Sequence, residues 1–235
     1  MGLLNCNDLS VISGTIRLPR LGVWNADLVV DSADSITGPV ELSTAYGAFS
    51  LQGTAYRSGS YQQTVSVRVL GGAGGLSTPP GGIGSVLTPK FYQGATVRLV
   101  LGDILAACGE TLSTTSDTTT LATVLKRWVV MGGSGKDALA RLFEPYDVVW
   151  RVLSDGKLWV GAEKWSPAPT TQFDVMTRKH EEGRAVIASE APWLLPGVTL
   201  TMPAGAGGGT EQVSYVAWTI ESTKIRADVW FERAA

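Results

Sequence analysis

Residues 131–139 read MGGSGKDAL: two glycines, a serine, a glycine and a lysine ahead of an apolar run. Such a stretch could be a phosphate loop, in which glycine amides cradle an anion and the lysine pairs with its charge. With Gly135–Lys136 as the GK pair, the pattern GxxxxGK followed by Ser or Thr asks for glycine at 130 and a magnesium-binding hydroxyl at 137. The chain has Val130 and Asp137, and an acid at 137 would repel a triphosphate. A helix start meets every position instead. Ser134 can accept from the backbone N–H three residues on, Asp137 adds negative charge to the first turn, and Ala138, Leu139, Leu142 and Phe143 make an apolar face that Pro145 ends.

The other chemically suggestive residues fare no better. In GGAGGLSTPPGGIGS, residues 71–85, a dinucleotide fingerprint GxGxxG begun at Gly72 needs glycine where Ser77 stands, and begun at Gly82 needs it at Leu87. The stretch reads as a surface loop or domain connection. His180 is the one histidine, which excludes a multi-histidine metal site and leaves a single candidate general base. It lies in TRKHEEGR, a charged stretch that reads as a solvated turn before a strand. Glu181 and Glu182 are neighbours, and adjacent residues on a strand face opposite sides, so they would not share a substrate. Cys6 and Cys108 have no metal-type spacing, and Cys108 falls on an apolar helical stripe, where a thiol packs rather than reacts. The sequence has no GxSxG elbow, HExxH pair or EF-hand loop. Among the eight tryptophans, Trp150 and Trp159 read as hairpin core, while Trp193, Trp218 and Trp230 read as core or interface. The expectation is a chain with no catalytic, cofactor-binding or metal-binding residues: not an enzyme, and no cofactor.

The elements around these residues are mostly β. Trp24, Ala26, Leu28 and Val30 alternate with polar or outward positions, and Val65, Val67 and Val69 alternate with Ser66 and Arg68, both at period two. Val97, Val100, Leu101, Ile104, Leu105 and Cys108 form one helical stripe, with Thr96 as its cap and Gly109 as its left-handed terminator. Residues 111–127 carry helical spacing at Leu121, Val124, Leu125 and Trp128 but strand-like β-branched content, and both readings stand. Asp155–Gly156 predicts a two-residue type I′ hairpin that sets Val152 opposite Trp159 and Leu153 opposite Leu158, with Trp150, Val152 and Trp159 on one face. Residues 203–210, PAGAGGGT, read as a flexible loop. Ile225, Ala227, Val229 and Phe231 alternate at the end, and the turn 221–224 predicts a closing antiparallel hairpin.

The chain has 235 residues, 44% hydrophobic and 17% charged, with net charge −2. This is a globular composition without a basic block, so no nucleic-acid recognition is expected. The low charge density fits either a surface covered by partners or a quiet monomer. The start lacks a signal peptide or a myristoylation pattern, and no apolar run is long enough to span a membrane, so no membrane anchor is expected and the chain reads as made in a cytoplasm.

Four stretches in order carry a resemblance: VWNADLVVD with LQGTA; VRVLGGAGGL leading to PKFYQGATVRLVLGDILAACGE; GSGKDALARLFEPYDVVWRVLSDGKLWVGAEKW; and PGVTLTM with VSYVAWTIESTKIRADVWFE. They cover most of the chain, and the hairpin Trp150 to Gly161 is the most specific. The sequence resembles the baseplate hub proteins of phage tails, the late control protein D family, which shares its fold with the amino-terminal hub of type VI secretion spike proteins. The resemblance implies a mainly β fold with inserted short helices (α+β) and two β-barrel-like tube lobes of antiparallel strands. The expected division is a first lobe over 1–90, a helix and helix-plus-hairpin segment over 91–165, and a second lobe over 166–235. It also implies a structural virion protein, assembled in the bacterial host cytoplasm, that forms a homotrimeric ring. Its partners would be copies of itself, tail tube or distal tail proteins, and a central spike or fibre. The chain is shorter than the larger members and shows no appended spike, LysM-like or peptidoglycan-cleaving domain. A minimal hub, a hub-like adaptor and a ring around the tube all remain open, with a tail-associated cell-wall hydrolase or a receptor-binding module as the alternatives.

Overall fold

The computed structural model describes residues 3–44, 49–77, 87–169, 173–189, 192–221 and 223–232. Its first six strands are β1 (Asn5–Cys6), β2 (Leu9–Pro19), β3 (Asn25–Asp31), β4 (Gly38–Ser43), β5 (Ser50–Tyr61) and β6 (Thr64–Gly71). They hydrogen-bond in the order β1-β4-β5-β6-β3-β2, and β2 pairs back to β1, which closes an antiparallel barrel. Closure needs coiled strands, and register shifts at Val11/Ser13 and Ala55/Arg57 supply local bends. The alternation read in the sequence points Ala26, Leu28, Val30, Val65, Val67 and Val69 inward, joined by Ile16, Leu18, Leu42 and Leu51. Trp24 is buried at one end of the barrel. Its ring lies so close to Gly71 that a Cβ there would sit 2.6 Å from Nε1, so the indole fits only because that residue has no side chain.

Past the barrel run β7 (Lys90–Thr96), α1 (Val97–Cys108), α2 (Thr118–Ala122), β8 (Val124–Val130), α3 (Gly135–Phe143), β9 (Val149–Val152) and β10 (Leu158–Gly161). Helix α1 has the expected caps: Thr96 accepts from the Leu99 N–H, and Gly109 is left-handed at φ 70°. Both readings of residues 111–127 are realised in succession. Asp117 caps the short α2, accepting from the N–H groups of Thr119 and Thr120 at 3.0 Å each, so the β-branched Thr118–Thr120 are helical, while Val124, Leu125 and Trp128 of the helical spacing lie in β8, paired with β7.

The hairpin β9–β10 forms, but one residue out of the expected register. Leu158 lies opposite Val152 and Trp159 opposite Arg151. The loop has three residues, Ser154 to Gly156, closed by Leu153 N–H donating to Lys157 O at 2.9 Å. Only Gly156 takes positive φ, at 76°. A type I′ turn would have forced Asp155 into the left-handed region as well, whereas a type I turn followed by a glycine bulge asks that only of the glycine. Trp150, Val152, Leu158 and Val160 are therefore buried together, and Trp159 faces outward with the Arg151 guanidinium 4.7 Å above its ring. Trp159 is not part of the hairpin core.

The last strands are β11 (Ser166–Pro167), β12 (Asp174–Lys179), β13 (Arg184–Ser189), β14 (Val198–Thr201), β15 (Thr210–Ile220) and β16 (Ile225–Phe231). Strand β2 pairs with β15 on the side away from β3, so the barrel wall continues into β15-β16-β13-β12, with β14 beside β15 and β11 beside β14. The barrel closes by hydrogen bonds; the strands of the expected second lobe form, among the described residues, an open sheet continuous with it. The closing hairpin has the expected faces, Ile225, Ala227, Val229 and Phe231 being buried, and Ile220 pairs with Ile225 across its turn; Ser222 of that turn lies outside the described residues. Trp218 is fully buried here, donates to Leu194 O at 3.2 Å and meets Trp193 edge-on. The loop 203–210 contains a 3₁₀ turn over Ala204–Ala206. The Arg178 guanidinium holds it, donating to Ala206 O and Gly208 O and pairing with Glu211. The fold is mainly β with a few short helices.

Candidate binding and assembly surfaces

The stretch MGGSGKDAL starts α3 and leaves little for an anion. Ser134 Oγ accepts from the Asp137 N–H at 3.1 Å and lies 2.7 Å from the Asp137 carboxylate, while the Lys136 N–H donates to Leu76 O at 3.0 Å. A Cβ on Gly135 would lie 2.5 Å from Cys108 Sγ. The glycine therefore lets the start of α3 approach the end of α1. It serves packing.

The glycine loop after β6 does bind an anion, and the anion is internal. Glu110, one residue past the terminator of α1, is buried, and its Oε2 accepts from the Ala73 N–H at 3.0 Å. The amides of Gly75, Leu76 and Gly74 also favour this carboxylate's charged form. Burial outweighs them and holds the carboxyl above the usual glutamate range. Oε1 is buried without a hydrogen-bond partner among the described residues. Gly72 is left-handed at φ 70°, and a side chain on it would strike the same carboxylate. Sequence reasoning missed Glu110, since nothing in its spacing ties it to residues 72–76. Of the expected loop 71–85, residues 78–85 lie outside the described residues.

His180 sits in the turn Lys179–Gly183, exposed, with its carbonyl accepting from the Gly183 N–H. Glu181 and Glu182 lie in the same turn and not on a strand. Glu182 is ion-paired to Lys179 at 2.8 Å, which lowers its carboxyl from the ordinary value. Cys6 and Cys108 are buried free thiols, each pushed up to about 11, mainly by burial. No group of three or more His, Cys, Asp or Glu among the described residues is placed to hold a metal ion.

Two exposed surfaces stand out. The first is the ribbon β7–β8, which pairs with no other strand among the described residues. One side of it rests on α1 through Tyr92, whose hydroxyl donates to Asp103, which also pairs with Lys90. On the other side Phe91 lies opposite Val129, with Met131 next along the strand; they are 59%, 47% and 56% exposed. Lys126 and Arg127 are exposed on β8 and have no ion-pair partner among the described residues.

The second surface is the barrel end where β2 begins and β3 and β5 finish. It carries Asp31 and Asp34, both exposed, and Tyr61, which is 75% exposed, whereas Asn7 of the turn between β1 and β2 borders the β9–β10 loop at Gly156. No lysine or arginine occurs between Arg20 and Arg57. The helices and the β9–β10 hairpin cover the opposite end, where the Gly22 N–H donates to Trp150 O and the Gln52 N–H to Ser154 O. Separately, the sheet leaves β12 as an edge unpaired among the described residues, with Met176 exposed on it.

No protein-family model matches the sequence, and no curated protein matches it. The fold, by contrast, is shared with solved structures over nearly the whole chain. A tail protein of Neisseria meningitidis MC58 aligns with TM-score 0.66 at 13% identity, over 99% of this chain and 97% of that one. The 43 kDa tail protein of prophage MuSo2 from Shewanella oneidensis aligns with TM-score 0.65 at 9% identity, over 98% and 97%. The Escherichia coli c3393 protein, a type VI secretion component described as similar to the T4 tail proteins gp27 and gp5, aligns with TM-score 0.63 at 13% identity, over 99% and 79%. At these identities the likeness is one of fold.

Proposed function

We propose that the chain is a structural component of a phage tail, a baseplate hub or hub-like adaptor, whose copies form a ring joining the tail tube to the central spike or tip. One observation carries this reading: the alignment runs end to end, so the barrel, the helical segment and the continuing sheet are matched together in two tail proteins. The partners are copies of the chain, as a homotrimer, tail tube or distal tail proteins on one side, and a spike or fibre protein on the other. The site of action is the virion tail, assembled in the host cytoplasm. The division into lobes over 1–90 and 166–235 with a helical segment over 91–165 belongs to the same reading.

A tail-associated hydrolase would need a carboxylate acting with His180; Glu211 and Glu232 line the same surface hollow but are ion-paired to Arg178 and Arg20, and Glu182, in the turn, is ion-paired to Lys179. Low overall charge and a long open sheet suit a part whose work is contact with neighbours. Light scattering on purified protein, with imaging of tail particles that carry a labelled copy, tests the proposal. The expected result is an oligomer in solution and a ring of label at the junction of tube and tip. A strict monomer at every concentration that never joins tails would overturn it.

A further inference from the structure

The outer wall of the barrel sets two like charges face to face. Arg57 of β5 and Arg68 of β6 are direct cross-strand partners, a placement that destabilises a sheet unless something answers the charge. One acid is at hand. Asp27 of β3 lies opposite Arg68 on its other side, but it pairs with Arg17 at 2.6 Å and with Arg68 only at 3.6 Å. Arg57 has no ion-pair partner among the described residues, and its guanidinium lies 5.2 Å from the Tyr56 ring.

Both arginines border one open hollow of about 430 Å³, together with Ser77 and with Lys136 and Asp137 of α3. Lys136 also has no ion-pair partner among the described residues, whereas the Asp137 carboxylate takes the Ser134 hydroxyl at 2.7 Å. The amides at the start of α3 are engaged as well, Lys136 N–H with Leu76 O and Asp137 N–H with Ser134 Oγ. Anything held here is therefore held by side chains and not by the helix start. Residues 78–86, which follow Ser77 in the chain, contain no Asp or Glu. Three cations against one engaged carboxylate leave the hollow with a positive excess.

We infer that this hollow binds a phosphate-type oxyanion of two or more negative charges, with Arg57 and Arg68 as its clamp and Lys136 as the third charge. Planar guanidinium groups pair with phosphate through two parallel N–H bonds, and an anion shared by the two arginines turns their repulsion into joint attraction. Ser77 adds a hydroxyl donor to the lining.

Pyrophosphate is the probe, titrated by calorimetry into the full chain at fixed ionic strength with sulfate as the control. Saturable binding of one pyrophosphate per chain is expected, tighter than that of sulfate. Arg57→Gln and Arg68→Gln should each weaken it by about tenfold or more, the loss of a charge-assisted hydrogen bond. Lys136→Gln, on an exposed turn outside the sheet, should weaken it too and keeps the test independent of strand pairing. A second readout separates binding from folding. Without ligand, Arg57→Gln relieves the opposed charges and should melt no lower than the wild type, yet it should lose the rise in melting temperature that pyrophosphate gives the wild type. The inference is overturned by an absence of saturable binding at millimolar pyrophosphate, or by binding that sulfate matches. Full retention of binding in all three variants overturns it as well. So does an unliganded Arg57→Gln that melts well below the wild type, which would show that the arginine serves the fold.

Discussion

A buried acid is normally a liability, and Glu110 shows how one is accommodated. Its carboxylate is wrapped by the backbone of a glycine loop, which supplies N–H donors without needing side chains, yet burial still costs more than those donors return. The sign of the pH effect follows. A carboxyl whose folded pKa is raised releases its proton more readily in the unfolded chain, so stability is greatest below the ordinary glutamate pKa and falls as pH rises toward the folded value. Glu110→Gln keeps an acceptor for the Ala73 N–H and removes the charge. Its melting temperature should equal or exceed that of the wild type at pH 8, with the difference shrinking on acidification. A Gln variant that melts lower by the same margin at every pH would show that the carboxylate is held for its charge. The same residue marks a limit of sequence reading. Thr96, Ser134 and Gly109 announce caps because a cap acts within three residues, whereas Glu110 meets residues 37 positions earlier.

Among the elements, the β9–β10 hairpin separates what a local signal fixes from what it leaves open. Asp155–Gly156 located the turn, because one positive-φ residue is required in either geometry. Loop length depends on which residue takes that conformation, and a change of one residue alters every partner across the hairpin. Substitution distinguishes the two registers. Leu158→Ala should cost about 2–5 kcal/mol by opening a cavity in the core. Trp159→Ala should cost only about 1 kcal/mol, through the loss of the contact with Arg151 and one hydrogen bond to Thr115 O. Denaturant midpoints in the reverse order would restore the two-residue turn. The helices and most barrel strands were legible for the opposite reason, since alternation at period two or a helical stripe does not depend on a partner. Barrel closure was not legible. It passes through Asn5–Cys6, two residues that carry no periodicity of their own.

For the whole molecule, one sheet runs from the barrel into the last strands, and this has a thermodynamic signature. Strand β2 gives one side to the barrel through β3 and the other to β15, with Trp218 lying opposite Ile16. Neither lobe can open without stripping a strand from the other. Unfolding should therefore be a single transition at low protein concentration, with tryptophan fluorescence and far-ultraviolet circular dichroism giving superimposable curves. Two resolved steps, with the amides of β16 and β13 exchanging well before those of β3 and β6, would show that the lobes are separable.

The shared strand also determines how the molecule responds to being pulled. Tension applied to one lobe along the direction of β2 reaches the other through the antiparallel pairs running from Gly14–Ile220 to Pro19–Tyr215. These bonds are loaded side by side in shear instead of yielding one at a time like a zip. With β2 shared between them, the two halves should carry force as one stiff body.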